Sequence, residues 1–248
     1  MKQNKIMSFN LRVDVASDLE NAWPYRKDRV IKFLQQESAD VIAFQEVRGH
    51  MLDDLKDGLN QYDVFVMPRD ESGESVPLFI KKGFGRLIDS QTFWLTDTPT
   101  IESKINGCHF TRISTYVILE IANYGILGFF NVHLDYASDE VTHKQAEHLL
   151  NYINHLKNNQ HFKTIILGDF NMTPDTKTIH LMRTYYSDGY DDGNQNLLTF
   201  HNFQLGVKGK PIDYIFTDKT MDKSLLKIHQ TKNIEEMVSD HYPISIQI

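Results

Sequence analysis

TIILGDFNMTPD, residues 164–175, runs a short β-branched apolar segment straight into an acid and an amide, Asp169 and Asn171, and then into Thr173-Pro174. An apolar run of this length bounded by turn residues reads as a buried strand. A carboxylate and an amide at the end of such a strand cost free energy unless something polar or ionic compensates them. Three local explanations compete: a turn closed by Asx hydrogen bonds, the cap of a following helix, and the mouth of a site.

Working outward, the same alternation of element types fills the chain. Lys5 to Val13 alternates like a strand, with Phe9 and Leu11 on one side and Ser8, Asn10 and Arg12 on the other. Trp23-Pro24 opens a helical stretch striped by Val30, Ile31, Phe33 and Leu34, and Val41 to Phe44 reads as a buried strand followed by Gln45-Glu46. A helix over Leu52 to Leu59 precedes strand-like YDVFVMP, VPLFIKK and Leu87 to Leu95. Arg112 to Ile121 and Ile126 to Leu134 read as neighbouring strands joined at Asn123-Tyr124-Gly125. Ser138 caps a long helix in which Val141, Gln145, Leu149, Ile153 and Leu156 recur at helical spacing. A short helix around Thr178 to Met182, a Gly/Asp/Asn-rich loop from 187 to 196, and strands at Ile212 to Thr217, Leu225 to Gln230 and Pro243 to Ile248 complete the chain. No repeat or long linker interrupts the 248 residues. The expected architecture is one α/β domain over residues 1–248, with mixed sheets covered by helices.

Composition narrows the function classes. A net charge of −7 argues against extended duplex binding, which calls for a basic excess; Lys208 and Lys210 are the only local basic hint. With Cys108 as the single cysteine, neither an intrachain disulfide nor a thiolate zinc cluster can form. No apolar run approaches the ~20 residues of a membrane span, and strand-like IMSFNLRV directly follows the first five residues, so a soluble cytoplasmic protein without membrane contact is expected.

The polar residues are not scattered. Five strand-like segments end in, or carry near their ends, a carboxylate, amide or histidine: Asn10, Glu46, His133 with Asp135, Asp169 with Asn171, and Asp213. Ser239-Asp240-His241 immediately precedes the last strand. One such end is a turn or a cap; six in one chain point to a shared edge, where layered α/β folds place their sites. Oxygen donors such as Glu46, Asn10, Asp169 and Asp240 suit Mg²⁺ or Mn²⁺. Histidines interleaved with acids can stabilise charge on a phosphate, and a carboxylate beside each would keep it cationic. The remaining histidines named for lack of ligand spacing, His50, His109, His143, His148, His155, His161 and His180, are expected at the surface, and Phe93 and Trp94 in packing roles.

MSFNLR, IAFQEV, NVHLDY, LGDFNMTPD, PIDYIF and SDHYPI, in this order from residue 7 to residue 244, resemble the endonuclease/exonuclease/phosphatase superfamily. The stretch SGESVPLFIKKGFGRLIDSQTFWLTDTP is similar to a bacterial metal-dependent hydrolase subgroup of it. The resemblance implies a four-layered α/β sandwich, two packed mixed β-sheets flanked by helices. It implies Glu46 as principal metal ligand, with Asn10 and Asp240 nearby. Asp169 and Asn171 would align the attacking water and contact the phosphate. His133 and His241 would flank the scissile phosphate, Asp213 would orient His241, Glu74 would partner His133, and Arg112 would contact phosphate. The implied cofactor is Mg²⁺, with Mn²⁺ able to substitute. The implied substrate is a phosphoester, first a small phosphodiester or single-stranded nucleic acid, with a sugar or inositol phosphomonoester as the alternative and a catalytically dead scaffold as the rival from another class. Nothing in the sequence points to a protein partner. Where the bacterial subgroup often has Gly-Trp ahead of the arginine strand, this chain has Asn106-Gly107-Cys108-His109, so a rim aromatic is expected to be missing or replaced.

Overall fold

The computed structural model describes residues 3–190 and 197–248; most of the Gly/Asp/Asn-rich stretch, residues 191–196, lies outside the described residues. In chain order the elements are β1 (Lys5–Asn10), α1 (Trp23–Glu37), β2 (Val41–Gln45), α2 (Gly49–Gly58), β3 (Tyr62–Phe65), β4 (Leu78–Lys81), β5 (Arg86–Trp94), β6 (Ile113–Ile121) and β7 (Gly125–His133). They continue with α3 (Asp139–Asn159), β8 (Lys163–Asp169), α4 (Lys177–Tyr185), β9 (Tyr186–Ser187), β10 (Asp213–Asp218), β11 (Lys227–Ile228) and β12 (Ile244–Gln247). Two six-stranded mixed sheets result, ordered β11-β12-β1-β2-β4-β3 and β5-β6-β7-β8-β10-β9.

The period-2 alternation of the strands builds the layers. In the first sheet Ile6, Val41, Ala43, Leu78 and Ile80 share one apolar cluster with the second sheet and with Ala146, Leu149 and Ile153 of α3. The intervening residues Met7, Phe9, Ile42, Phe44 and Phe79 instead pack with Val30 and Leu34 of α1 and with Met51 and Leu55 of α2. Helix, sheet, sheet and helix therefore stack as a four-layered sandwich, because each strand has two apolar faces to cover. Ser138 caps α3 as its spacing predicts, accepting from the Val141 amide. Asn123 and Gly125 take the positive φ values, 72° and 76°, that the β6–β7 turn needs.

Each sheet holds one parallel pair made by a helical crossover: β1 and β2 through α1, β7 and β8 through α3. Parallel strands end on the same side, so Asn10 lies opposite Gln45 and His133 opposite Asp169. Asp213, the first residue of antiparallel β10, pairs with Asp169 at that same edge. A buried amide pair ties the sheets together just below it. Gln45 Nε2 donates to Asn131 Oδ1 at 2.7 Å, and Asn131 Nδ2 donates to the Phe44 and Pro77 carbonyls at 2.7 and 2.8 Å.

Some boundaries move. Helix α2 begins three residues before Leu52, with Met51 and Leu55 as its buried side. The strand expected at Leu225 to Gln230 contracts to β11, an edge strand whose partner β12 is preceded by Pro243, which has no amide to donate.

Gly168 explains one letter of LGDFN. It faces Val132 in the parallel β7–β8 pair with φ 153°, and a Cβ built there would collide with the Val132 carbonyl oxygen. Gly168→Ala is expected to cost about 3 kcal/mol or more, read as a Tm fall of roughly 10 °C in calorimetry; an unchanged Tm would contradict this packing.

Two histidines absent from the sequence-based expectations have their side chains withdrawn from solvent. His201 is 2% exposed, and His229 sits against Phe33 and Glu37. Burial lowers both, from 6.5 to about 4. They fold neutral, so the unfolded chain takes up their protons first. Their contribution is complete above about pH 6.5 and is lost as the pH falls towards 4. Tm should drop across that window, and His201→Leu should flatten the drop; equal slopes for the two proteins would refute the assignment.

Candidate active site

Four strand ends from two sheets, the start of β10 and the segment Ser239–His241 meet around a cleft of about 340 Å³. Its lining includes Glu46, Glu74, Arg112, His133, Asp169, Asn171, Asp240 and His241. Glu46 and Asn171 follow their strands in the left-handed region, with φ 62° and 53°. For non-glycine residues that conformation is uncommon and clusters at functional sites. It turns each side chain out of the strand register.

Asn10 and Asp169 lie at the centre, each about 1% exposed. Asn10 Nδ2 donates to Glu46 Oε1 at 3.0 Å and to Asp169 Oδ2 at 2.9 Å, while its Oδ1 accepts from the Arg12 amide at 2.9 Å. Glu46 Oε2 accepts from the Val13 amide at 2.8 Å. Asn10 thus bridges the two carboxylates through its Nδ2, while its Oδ1, which accepts one backbone hydrogen bond, keeps a second lone pair facing the site. Asp169 Oδ1 accepts from the Asn171 amide at 2.8 Å, so the Asx-turn explanation of the stretch is partly right. The helix cap is Thr176, two residues beyond Pro174. Asp169 Oδ2, however, lies 3.7 Å from both His133 Nε2 and His241 Nε2. Asn171 Nδ2 donates to the Leu134 carbonyl at 2.9 Å.

Electrostatics separates the two histidines. His241 Nδ1 contacts Asp213 Oδ2 at 2.9 Å, both groups buried. Burial alone would lower His241, but the Asp213 charge and hydrogen bond, followed by the charges of Asp169 and Asp240, outweigh it and raise it to about 10. His241 is therefore cationic at neutral pH. His133 is the reverse: burial, then Arg112 and Arg69, push it well below 6.5, and its buried Nδ1 has no hydrogen-bond partner among the described residues. Glu74, expected beside His133, bonds Arg69 instead: its Oε1 accepts from Arg69 Nη1 at 2.7 Å. Asp169 is pushed up to about 7 by burial and by Asp213. Asp240 is raised by burial; its Oδ1 accepts from Ser239 Oγ at 3.1 Å and its Oδ2 lies 3.8 Å from Arg12 Nε.

Glu46, His133 and Asp169 each offer a ligand atom within 4.8 Å of the others, as do Asp169, Asp213 and His241. The first set fits a hard divalent cation better. It holds two carboxylates drawn together on one amide, with Asp240 in the same cleft, an accumulation of negative charge that a cation would offset.

Arg112 is 4% exposed and lies 3.5 Å from Asp135, so it is a buried member of the cleft. Sequence reasoning missed Arg12, Arg69, Phe110, Tyr136 and Phe200, all in the lining. The rim aromatic expected to be missing or replaced has counterparts elsewhere in the lining, at Phe110, Tyr136 and Phe200. The only local hint was Phe110, two residues ahead of Arg112. None of the seven histidines expected at the surface is buried, although His109 Nδ1 lies 3.2 Å from Asp135. Phe93 is buried against Tyr152, and Trp94 Nε1 donates to the Arg69 carbonyl at 3.0 Å. Lys210 pairs with Asp175 outside the cleft. No helix among the described residues is long and apolar enough to cross a membrane.

The description of the endonuclease/exonuclease/phosphatase family matches residues 7–241. No curated protein matches the sequence. Among solved structures, an endonuclease/exonuclease/phosphatase protein from Bacteroides vulgatus is 27% identical, with TM-score 0.89 over 100% of this chain and 98% of that one. A mannosyl-6-phosphatase of Bacteroides thetaiotaomicron is 23% identical, with TM-score 0.87 over 99% of each chain. The human Nocturnin catalytic domain, solved with a bound sulfate anion, is 16% identical, with TM-score 0.75 over 99% of this chain and 93% of that one.

Proposed function

Because the chain belongs to the endonuclease/exonuclease/phosphatase family, whose members hydrolyse phosphoesters, we propose that it is a divalent-metal-dependent hydrolase of small phosphoesters. In this reading residues 1–248 form one catalytic domain, Mg²⁺ is the ion, Mn²⁺ substitutes for it, and a phosphodiester or single-stranded nucleic acid is the first-choice substrate. One observation carries the proposal: Glu46 and Asp169 converge on Asn10, with charged His241 and neutral His133 on either side of Asp169.

Glu46 would hold the cation, with Asp169 and Asp240 at hand, and the bound ion would polarise the phosphoryl group as a Lewis acid. Asp169, 3.7 Å from both histidine Nε2 atoms, would accept a proton from the attacking water. His241, kept charged by Asp213, would neutralise negative charge that grows on the phosphate oxygens. Neutral His133 would donate a hydrogen bond there rather than a charge. Asn171, with an amide proton left over, and buried Arg112 would orient the phosphate.

A second reading, hydrolysis of a sugar phosphomonoester, draws on the size of the cleft and on the mannosyl-6-phosphatase neighbour. About 340 Å³ lies at the small end of ligand pockets and suits a sugar phosphate or a mononucleotide unit. The test is a panel of bis-aryl phosphate, aryl phosphate, hexose phosphate, single-stranded and duplex DNA, assayed with Mg²⁺, with Mn²⁺ and in excess chelator. Turnover lost in chelator supports the proposal, and the preferred ester ranks the two readings. Full turnover in chelator, or none with any substrate, overturns it.

A further inference from the structure

Beside His133 the rim of the cleft is a corner of two aromatic rings, one against two guanidinium groups and the other against an imidazole. The Arg69 and Arg112 guanidinium carbons lie 4.6 and 5.4 Å from the Phe110 centroid. His109 stacks on Tyr136 at 4.6 Å with planes 16° apart. Phe110 and Tyr136 stand 6.2 Å apart with their planes at 56°, and remain 39% and 54% exposed.

A single exposed ring is ordinary on a protein surface. This pair is different because it is held. Asp135, with no exposed surface, accepts hydrogen bonds from the amides of His109, Phe110 and Ala137 at 3.3, 3.0 and 3.0 Å. The same carboxylate contacts the His109 ring at 3.2 Å and lies 3.5 Å from Arg112 Nε. One buried acid thus sets both rings and the arginine at once. Rings kept open towards a polar cleft, on a rigid frame, are the usual construction of a small-ligand site.

We propose that Phe110 and Tyr136 bind the ring of the substrate's alcohol portion, so that the enzyme takes phosphate esters of cyclic alcohols, sugar or nucleoside, in preference to acyclic ones. Arg112 links the two halves of such a substrate: it lines the cleft beside His133 and also underlies Phe110. A phosphate held at Arg112 leaves its ester substituent over the aromatic corner. Stacking of a sugar or base face on an aromatic ring supplies the attraction. Asp135 is a positioning residue in this scheme. The inference rests on the phosphoester-hydrolase reading of the same cleft.

The experiment measures kcat and KM for glycerol phosphate, a hexose phosphate and a nucleoside monophosphate, with the wild type, Phe110→Ala and Tyr136→Ala, in Mg²⁺ or Mn²⁺. Wild type should favour ring-bearing esters, and each variant should lower the ring-to-acyclic ratio of kcat/KM by roughly tenfold to a hundredfold, mainly through KM. The hexose and nucleotide arms tell which ring is preferred. A ratio near one in wild type, or one unmoved by both variants, overturns the proposal. Calorimetric binding of the same three phosphates separates the two readings. If neither these monoesters nor the diesters of the panel above turn over, but ring-bearing phosphates bind more tightly and the variants erase the difference, the hydrolase reading fails and the corner stands; equal binding of all three removes the corner as well.

Discussion

Glu46→Gln is expected to lower kcat/KM for phosphoester hydrolysis by roughly a thousandfold or more, matching the loss caused by excess chelator, while Tm changes by only a few degrees. The substitution keeps the shape and removes the charge. One amide group then replaces a carboxylate oxygen, facing either Asn10 Nδ2 or the Val13 amide, so one hydrogen bond of about 1 kcal/mol is forfeited. Relief of like-charge crowding with Asp169 and Asp240 works in the opposite direction. The catalytic loss is large because Glu46 is the anchor proposed for the cation. Calorimetry with Mn²⁺ checks the cause independently of turnover: the variant should bind it far more weakly than wild type. Activity within tenfold of wild type would remove Glu46 from the site.

Asp213→Asn should reduce kcat by roughly a hundredfold to ten-thousandfold, the range for loss of a positioned acid–base group, and should change its pH dependence. In wild type the Asp213 charge raises His241 to about 10, so the cationic form persists as pH rises until about that value. Without Asp213, burial is opposed only by Asp169 and Asp240, and the His241 value falls. The alkaline limb of the kcat profile should therefore move to lower pH. Titration of the His241 ring by NMR should move with it. A profile whose alkaline limb stays in place, with kcat little changed, would show that the pair is structural.

Asp213 and His241 are 28 positions apart, and Asn10 and Asp169 are 159 apart. Every one of these side chains stood out in the sequence because it is polar at, or just outside, one end of an apolar strand. That signal is local and survives without coordinates. The partner of Glu74 did not: RDESGE places Arg69 and Glu74 on one loop, where they satisfy each other, and His133 is left to burial. Nothing in the residue types separates that outcome from the Glu74–His133 pair. His201 and His229 were equally silent, since a histidine carries the same letters whether it ends up in solvent or under a sheet.

Strands with two apolar faces, helices with one stripe, a glycine where β8 presses on β7, and six polar strand ends are consequences of short-range periodicity and turn chemistry. They dictate a layered α/β sandwich and gather oxygen donors and histidines on one edge of it. What the chain does not encode locally is which donor faces which acceptor across two packed sheets. The orientation of the Asn10 amide, the charge difference between His133 and His241, and the Phe110–Tyr136 corner over Asp135 all follow from contacts between segments far apart in sequence. They follow from burial too, which exists only once the sheets have closed and which alone decides whether a titratable group keeps its charge.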